Sequence, residues 1–389
     1  MLKILSVVGA RPQFVKAAAV LRSFEQLNKE CGEKIMESLL VHTGQHYDFQ
    51  MSGLFFEELV LPDPDYNLGV GSGLHGEQTG KMLEALEKVY LDEQPDVVVV
   101  YGDTNSTIAG ALAASKLHIP VTHVEAGLRS YNRHMPEETN RVLTDHLSTI
   151  LFCPCQAACR NLVCEGFNNI VNNGALLSEK DIKHITFSQE KPAVVNVGDV
   201  MVDALQMVEN DLEVPVELKD KLRDERYIVL TLHRAENVDN KERLTSLLKA
   251  MADSPYPIVF PIHPRTKARI SAFGLSSQAN KFPFRIIEPL GYKEMLGIVR
   301  SASLVVTDSG GLQKEAFMLG VPCNTLRTET EWVETVEAGW NMLLTYPEKG
   351  FVQNSLSWAQ KVCSMKQPQL YGDGLAGKRI ASLLGMMTT

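Results

Sequence analysis

The sequence predicts an α/β chain made of two doubly wound, Rossmann-like domains facing each other across a cleft. Three observations predict it. Short apolar runs alternate with helical patterns along most of the 389 residues, as βαβ units and parallel sheets require. The clearest run, Val97-Val-Val-Val-Tyr101, is apolar without alternation, the mark of a strand covered on both faces. The pattern pauses over residues 165–193, which are polar and rich in Asn and Lys, and then restarts. At roughly 150 residues per domain, the length itself suits two.

The elements follow in order. Met1-Leu-Lys-Ile-Leu-Ser-Val-Val is too short for the apolar core of a signal peptide and runs straight into Gly9-Ala-Arg11-Pro12, so it reads as a first strand, 2–8. Further strands are predicted near 36–42, 95–101, 120–124 and 149–153, with helices at 12–29, 51–60, 75–91, 104–117 and 137–147. The polar passage then reads as an interdomain connection carrying an insertion. Beyond it, strands are predicted at 227–232, 258–262, 284–287, 304–307 and 321–326, with helices at 240–253, 292–301 and 311–319. This sets an N-terminal domain at 1–175 and a C-terminal one at 176–370. Residues 371–389, Tyr371-Gly-Asp-Gly374 and then a helix from Leu375 to Leu384, are expected to pack back across the cleft.

Composition excludes several classes. With 38 basic against 47 acidic side chains the formal charge is −9, and no basic block breaks the chain, which argues against a nucleic-acid partner. No stretch approaches the roughly 18 apolar residues of a membrane helix. Of the seven cysteines, Cys153, Cys155, Cys159 and Cys164 cluster, but at spacings of two, four and five, without paired Cys-x₂-Cys knuckles. They read as buried thiols rather than a metal site, and point to a reducing cytoplasm.

The chemistry collects at predicted strand ends, where open α/β sheets bind ligands. Asp103 and Glu125 each lie one or two residues past a strand, so the fold would bring them together, for proton transfer or hydroxyl binding. Glu137 and Arg141, in Pro136-Glu137-Glu138-Thr-Asn-Arg141, start a helix and share one face four residues apart. Arg11 and Lys16 lie near the start of the first helix, where they could neutralise a diphosphate. The Gly-Lys-Ser/Thr ending of a Walker loop and the three glycines of a dinucleotide fingerprint are missing, which disfavours ATP and nicotinamide chemistry. In the second half, Asp308-Ser309-Gly310-Gly311 joins a strand directly to a helix, whose free N–H groups suit a phosphate. Glu315, about one turn in, could accept hydrogen bonds from a ribose diol. His233, Arg234 and Asn237 follow the strand before residue 233, again suiting a phosphate.

With these residues laid out, the chain resembles the non-hydrolysing UDP-N-acetylglucosamine 2-epimerases over nearly its whole length. The resemblance rests on Gly9-x-Arg11-Pro12-x-x-x-Lys16, Gly102-Asp103-Thr104, His123-Val-Glu125-Ala-Gly-Leu-Arg129, Pro136-Glu137-Glu138-x-Asn140-Arg141, His233-Arg234, Asp308-Ser309-Gly310-Gly311-x-Gln-x-Glu315-Ala316 and Tyr371-Gly-Asp-Gly374. It implies a fold like that of the two-Rossmann-domain (GT-B) glycosyltransferases, a homodimer, a UDP-sugar substrate and a reaction needing neither metal nor redox cofactor. It also implies Asp103, Glu125 and Glu137 as catalytic acids and bases, with His233 assisting departure of UDP. Arg11, Lys16, Arg141, Arg234, Ser309, Gly310, Gly311 and Glu315 would hold the nucleotide, and the Pro289–Tyr292 turn, through Tyr292, would border the uracil. Gly9-Ala-Arg-Pro-Gln-Phe, Val197-Gly-Asp-Val-Met201, His263-Pro-Arg-Thr266 and Thr330-Glu-Trp-Val-Glu334 look closer to the branch acting on UDP-2,3-diacetamido-2,3-dideoxyglucuronate. Many bacterial members are regulated by a second substrate molecule through Gln-His-Arg; here the stretch reads Gln45-His46-Tyr47, a departure that puts such regulation in doubt.

Overall fold

The protein's structure, a computed structural model, describes residues 1–45, 58–59, 61–182, 185–222, 225–281, 283–345, 348 and 350–388. Most of the helix predicted at 51–60, and His46 and Tyr47 of the departing stretch, lie outside these residues. The chain forms two compact units, Met1–Asn210 with Gln369–Thr389, and Asp211–Pro368.

The first unit holds a seven-stranded parallel sheet. Its strands are β1 (Leu2–Val8), β2 (Met36–His42), β3 (Tyr66–Asn67), β4 (Val97–Tyr101), β5 (Val121–Val124), β6 (Ile150–Cys153) and β7 (Ala193–Asn196), in the order β3-β2-β1-β4-β5-β6-β7. Around them lie helices α1 (Arg11–Cys31), α2 (His75–Glu93), α3 (Asn105–Lys116), α4 (Pro136–Leu147), α5 (Gln156–Cys164) and α6 (Val200–Val208). The strand sequences explain the layering. Val97, Val98, Val99 and Val100 are all fully buried, so β4 contacts helices on both faces. Pro12 sits in the first turn of α1, where its missing N–H costs nothing, and Gly32 ends that helix at φ 73°.

The second unit repeats the plan. Its strands are β8 (Ile228–Thr231), β9 (Ile258–Pro261), β10 (Phe284–Ile287), β11 (Leu304–Thr307), β12 (Cys323–Thr325) and β13 (Asn341–Leu343), in the order β10-β9-β8-β11-β12-β13. Its helices include α7 (Ala235–Val238), α8 (Lys241–Met251), α9 (Pro264–Ala272), α10 (Tyr292–Arg300), α11 (Gly310–Met318), α12 (Val333–Glu337) and α13 (Phe351–Cys363). In both units the strand order reverses beside the first strand, between β1 and β4 and between β8 and β11. Such a reversal opens a crevice at the carboxyl ends.

The unit boundaries differ from those predicted. The division falls at 210/211 rather than 175/176, because residues 165–193 are not an interdomain passage. They lead through a short 3₁₀ turn, Val171–Gly174, into β7, which pairs in parallel with β6. The six-residue sequence Ala193-Val-Val-Asn-Val-Gly was too brief to register as a seventh strand. The chain returns at Gln369, and its last helix α14 (Ala376–Gly385) packs on α1 and α6 of the first unit. Arg379 anchors it, donating to the carbonyls of Leu177 (2.8 Å) and Val197 (3.1 Å).

Candidate active site

The first crevice is built from the ends of β1, β4 and β5. Gln13, in the first turn of α1, ties two of them: its Oε1 accepts from the N–H groups of Gly9 (2.8 Å) and Ala10 (3.0 Å), and its Nε2 donates to the Tyr101 carbonyl (2.8 Å). A Cβ on Gly9 would run into Ser106 Oγ and Thr43 Oγ1, so only glycine fits there.

Four of the predicted side chains meet at this point. Lys16 and Glu125 are both buried and their ammonium and carboxylate form an ion pair. Beside the pair lies Gly102, at φ 64°; a Cβ on it would lie 3.1 Å from Lys16 Nζ and 3.4 Å from Glu125 Oε2. Asp103, the next residue, pairs with Arg141, which also reaches Glu138 at 3.1 Å. Glu125 itself has φ 73°, a left-handed conformation that costs a residue with a Cβ on the order of 1–3 kcal/mol. Its N–H is held by the Phe152 carbonyl at 3.1 Å, so the neighbouring strand enforces the turn. Strain of this kind concentrates at functional sites.

Lys16, read as neutralising a diphosphate, and Arg141, which the resemblance implies holds the nucleotide, have carboxylate partners in this structure. Each neutralises an acid of the crevice. Glu137 stands half-buried in the first turn of α4 between Pro136, the first helical residue, and Glu138, and Arg11 half-buried as the first residue of α1. Glu138, which sequence reasoning left out, is buried and accepts from the N–H groups of Ser130 (2.9 Å) and Tyr131 (2.9 Å). It braces Arg141.

Behind the crevice lies a buried chain of charge that the sequence reading missed. His123 bonds Asp145 (2.7 Å) and the Gly102 carbonyl (2.7 Å); Asp145 pairs with Arg129 (2.7 Å); Arg129 pairs with Glu165 (2.7 Å). Burial pushes the Asp145 carboxyl up, but His123 and Arg129 outweigh it and hold it below the usual aspartate range. His123 and Arg129 stand in a motif that carries the resemblance, but nothing along the sequence marks their partners Asp145 and Glu165 or gives the pair a role.

The second crevice is organised by Asp308, at the end of β11. Its carboxylate accepts from the N–H groups of His233 (3.0 Å) and Arg234 (3.0 Å) and from Asn237 Nδ2 (3.0 Å), and the His233 ring lies 3.2 Å away. Burial pushes Asp308 up; the His233 ring, Asn237 and the Arg234 N–H more than reverse it, so the carboxyl titrates below its ordinary range. One acid thus fixes His233, Arg234 and Asn237 together, while the His233 side chain stays 35% exposed.

Ser309 then caps α11, its hydroxyl accepting from the Leu312 N–H. A Cβ on Gly310 would approach Glu331 Oε1 to 2.5 Å and make that carboxylate shift, whereas Gly311 faces open space and leaves the helix N-terminus accessible. Trp332 donates to the Gly310 carbonyl (2.9 Å) and Gln313 to the Ser309 carbonyl (3.1 Å), which holds the turn from behind. Glu315 is half-buried one turn into α11, and Tyr292 is buried at the start of α10. Among the described residues no group of three or more His, Cys, Asp or Glu is arranged to hold a metal ion, and no helix is long and apolar enough to cross a membrane. Cys153, Cys155 and Cys159 are buried thiols and Cys164 an exposed one.

Comparison with known proteins bears on the family and the fold. The profile of the family described as UDP-N-acetylglucosamine 2-epimerase matches residues 29–385. The chain is 44% identical to a UDP-N-acetylglucosamine 2-epimerase homolog of Methanococcus maripaludis, over 98% of this chain and 99% of the relative. It is also 44% identical to the UDP-2,3-diacetamido-2,3-dideoxy-D-glucuronate 2-epimerase of Pseudomonas aeruginosa, over 99% of this chain and 100% of the relative. Its fold superposes, with a TM-score of 0.79 and 43% identity, on Methanocaldococcus jannaschii UDP-GlcNAc 2-epimerase solved with UDP-GlcNAc and UDP, covering 97% of each chain.

Proposed function

Because the chain belongs to the UDP-N-acetylglucosamine 2-epimerase family, we propose that it interconverts UDP-GlcNAc and UDP-ManNAc by eliminating and re-adding UDP. The C2 proton of an acetamido sugar is weakly acidic, so direct deprotonation is a poor start. Instead the C1–O bond to UDP breaks as a carboxylate removes the C2 proton, leaving 2-acetamidoglucal and UDP. A proton then reaches C2 from the opposite face and the diphosphate oxygen re-adds at C1. Nothing is oxidised or reduced, so the chemistry calls for no redox cofactor.

The observation carrying this reading is the convergence of ionisable groups at the first switch point. Lys16 pairs with Glu125 beside Gly102, and Asp103 pairs with Arg141 one residue on. Inverting a carbon needs acid–base groups on both of its faces, and Asp103, Glu125 and Glu137 supply candidates. We assign the diphosphate to Arg234, Ser309, Gly310 and Gly311, where the start of α11 offers free N–H groups to departing negative charge. Arg11, Lys16 and Arg141 supply further positive charge. His233 assists the departure, Asn237 holds the His233–Arg234 turn, Glu315 takes the ribose and Tyr292 borders the base. The enzyme is proposed to work in the cytoplasm as a homodimer, the state the resemblance implies; sedimentation as a monomer would refute that state.

Incubation with UDP-GlcNAc in deuterated water, without acceptor, tests the reaction. C2 should acquire deuterium in both manno and gluco products; free ManNAc with UDP would mean hydrolysis, and no exchange would mean sugar transfer or mere binding. A second substrate is favoured by equal identity to the diacetamido-glucuronate enzyme. Faster exchange on that uronate than on UDP-GlcNAc would reassign the natural substrate.

A further inference from the structure

His123 lies in β5 opposite Val100 of β4 and Leu151 of β6, with no exposed surface. An apolar side chain would fill such a place without the cost of burying polar atoms. The ring instead makes two short bonds, 2.7 Å to Asp145 Oδ1 and 2.7 Å to the Gly102 carbonyl.

Both partners are acceptors. The carbonyl can only accept. Asp145 already accepts from Arg129 Nη1 (2.7 Å) and the Gly127 N–H (3.1 Å), as an ionised carboxylate does. The ring's Nε2 therefore donates to the Gly102 carbonyl, while its Nδ1 is bonded to Asp145 Oδ1.

The residue at the end of this chain is Gly102, the left-handed turn beside the Lys16–Glu125 ion pair, which leads directly into Asp103. Its N–H is bonded to the Val124 carbonyl at 3.0 Å, so β4 and β5 meet there. We propose that His123 is a positioning residue for the epimerisation, its Nε2–H clamping the Gly102 carbonyl so that Asp103 and Glu125 keep their separation. This rests on the function proposed above and assigns a role to a residue that touches no substrate. Arg129 and Glu165 extend the clamp, the guanidinium holding Asp145 and being held by Glu165 at 2.7 and 2.8 Å.

The test has two arms. In ¹⁵N-labelled wild-type protein, His123 Nε2 should carry a proton held in a hydrogen bond to the Gly102 carbonyl; a bare Nε2 overturns the proposal. In the C2 exchange assay, His123→Phe fills the space without a donor and should lower kcat on the order of a hundredfold, as misplaced catalytic groups do. KM and UDP affinity should stay as in wild type. His123→Gln restores one donor and should regain about tenfold of that loss. A Phe variant within twofold of wild type, or a loss seen in melting temperature and KM but not in kcat, overturns the role. If neither variant folds, the wild-type spectrum decides. Absence of exchange in wild type itself strikes the epimerase reading and takes the role down with it, whereas a failed spectrum strikes this proposal alone.

Discussion

Glu125 shows how much one residue can carry at this site. It is buried, backbone-strained at φ 73° and paired with a lysine whose ammonium is also buried. Removing its charge has two consequences that can be separated. Glu125→Gln should lower turnover by about a thousandfold, within the range for loss of an acid–base group, while UDP still binds. The same change leaves Lys16 without its partner, and an uncompensated buried charge costs on the order of 3–5 kcal/mol. Lys16→Met added to Glu125→Gln should therefore recover melting temperature without recovering turnover. Near-normal turnover of the single variant would remove Glu125 from the mechanism. The sequence exposed Glu125 by its place after a strand, but its lysine partner could not be read from it. Lys16 lies 109 residues away in sequence, and only β1 beside β4 and β5 brings them together.

At the scale of elements, the two crevices share one recipe. An acid at one strand end gathers groups from the segment just beyond the neighbouring strand: Asp103 pairs with Arg141, and Asp308 orders the His233–Asn237 turn. The last helix is docked by a related device. Asp203 of α6 accepts from the N–H groups of Ala376 (3.2 Å) and Gly377 (2.8 Å) at the start of α14. Burial raises its pKa from 3.8 to about 6, against the lowering effect of those N–H groups. The unfolded chain thus loses its proton near 3.8 and the folded chain only near 6. Between those values the native state binds more protons, so stability falls as pH rises, by at most about 3 kcal/mol, and is level above. Asp203→Asn, which cannot ionise but can still accept, should flatten that slope in urea titrations from pH 4 to 7. An unchanged slope would assign it to other groups.

For the whole molecule, the chain's course matters more than its length. It leaves the first unit after Asn210 and returns at Gln369, so the final helix belongs to the unit that begins at Met1. Ile380, Leu383 and Leu384 of that helix are buried. Burying each such side chain is worth roughly 1.5–3 kcal/mol. Ending the chain at Pro368 should therefore destabilise the first unit by several kcal/mol, and Arg379→Ala by less. Urea unfolding should show the first unit's transition at lower denaturant with that of residues 211–368 unmoved. A shift of both together would mean that the units unfold as one.

By itself the sequence determined the two-sheet α/β plan, because continuous Val and Ile runs between helical patterns admit few other folds. It also determined which acids and which glycine turn stand at strand ends, since that depends only on positions along each strand. The tertiary structure alone decided the partners: which base meets which acid, that a seventh strand extends the first sheet beyond residue 175, and that a histidine inside the core reaches Gly102. Pairings of this kind join residues tens to a hundred positions apart, and their spacing in sequence carries no trace of the distance that folding closes.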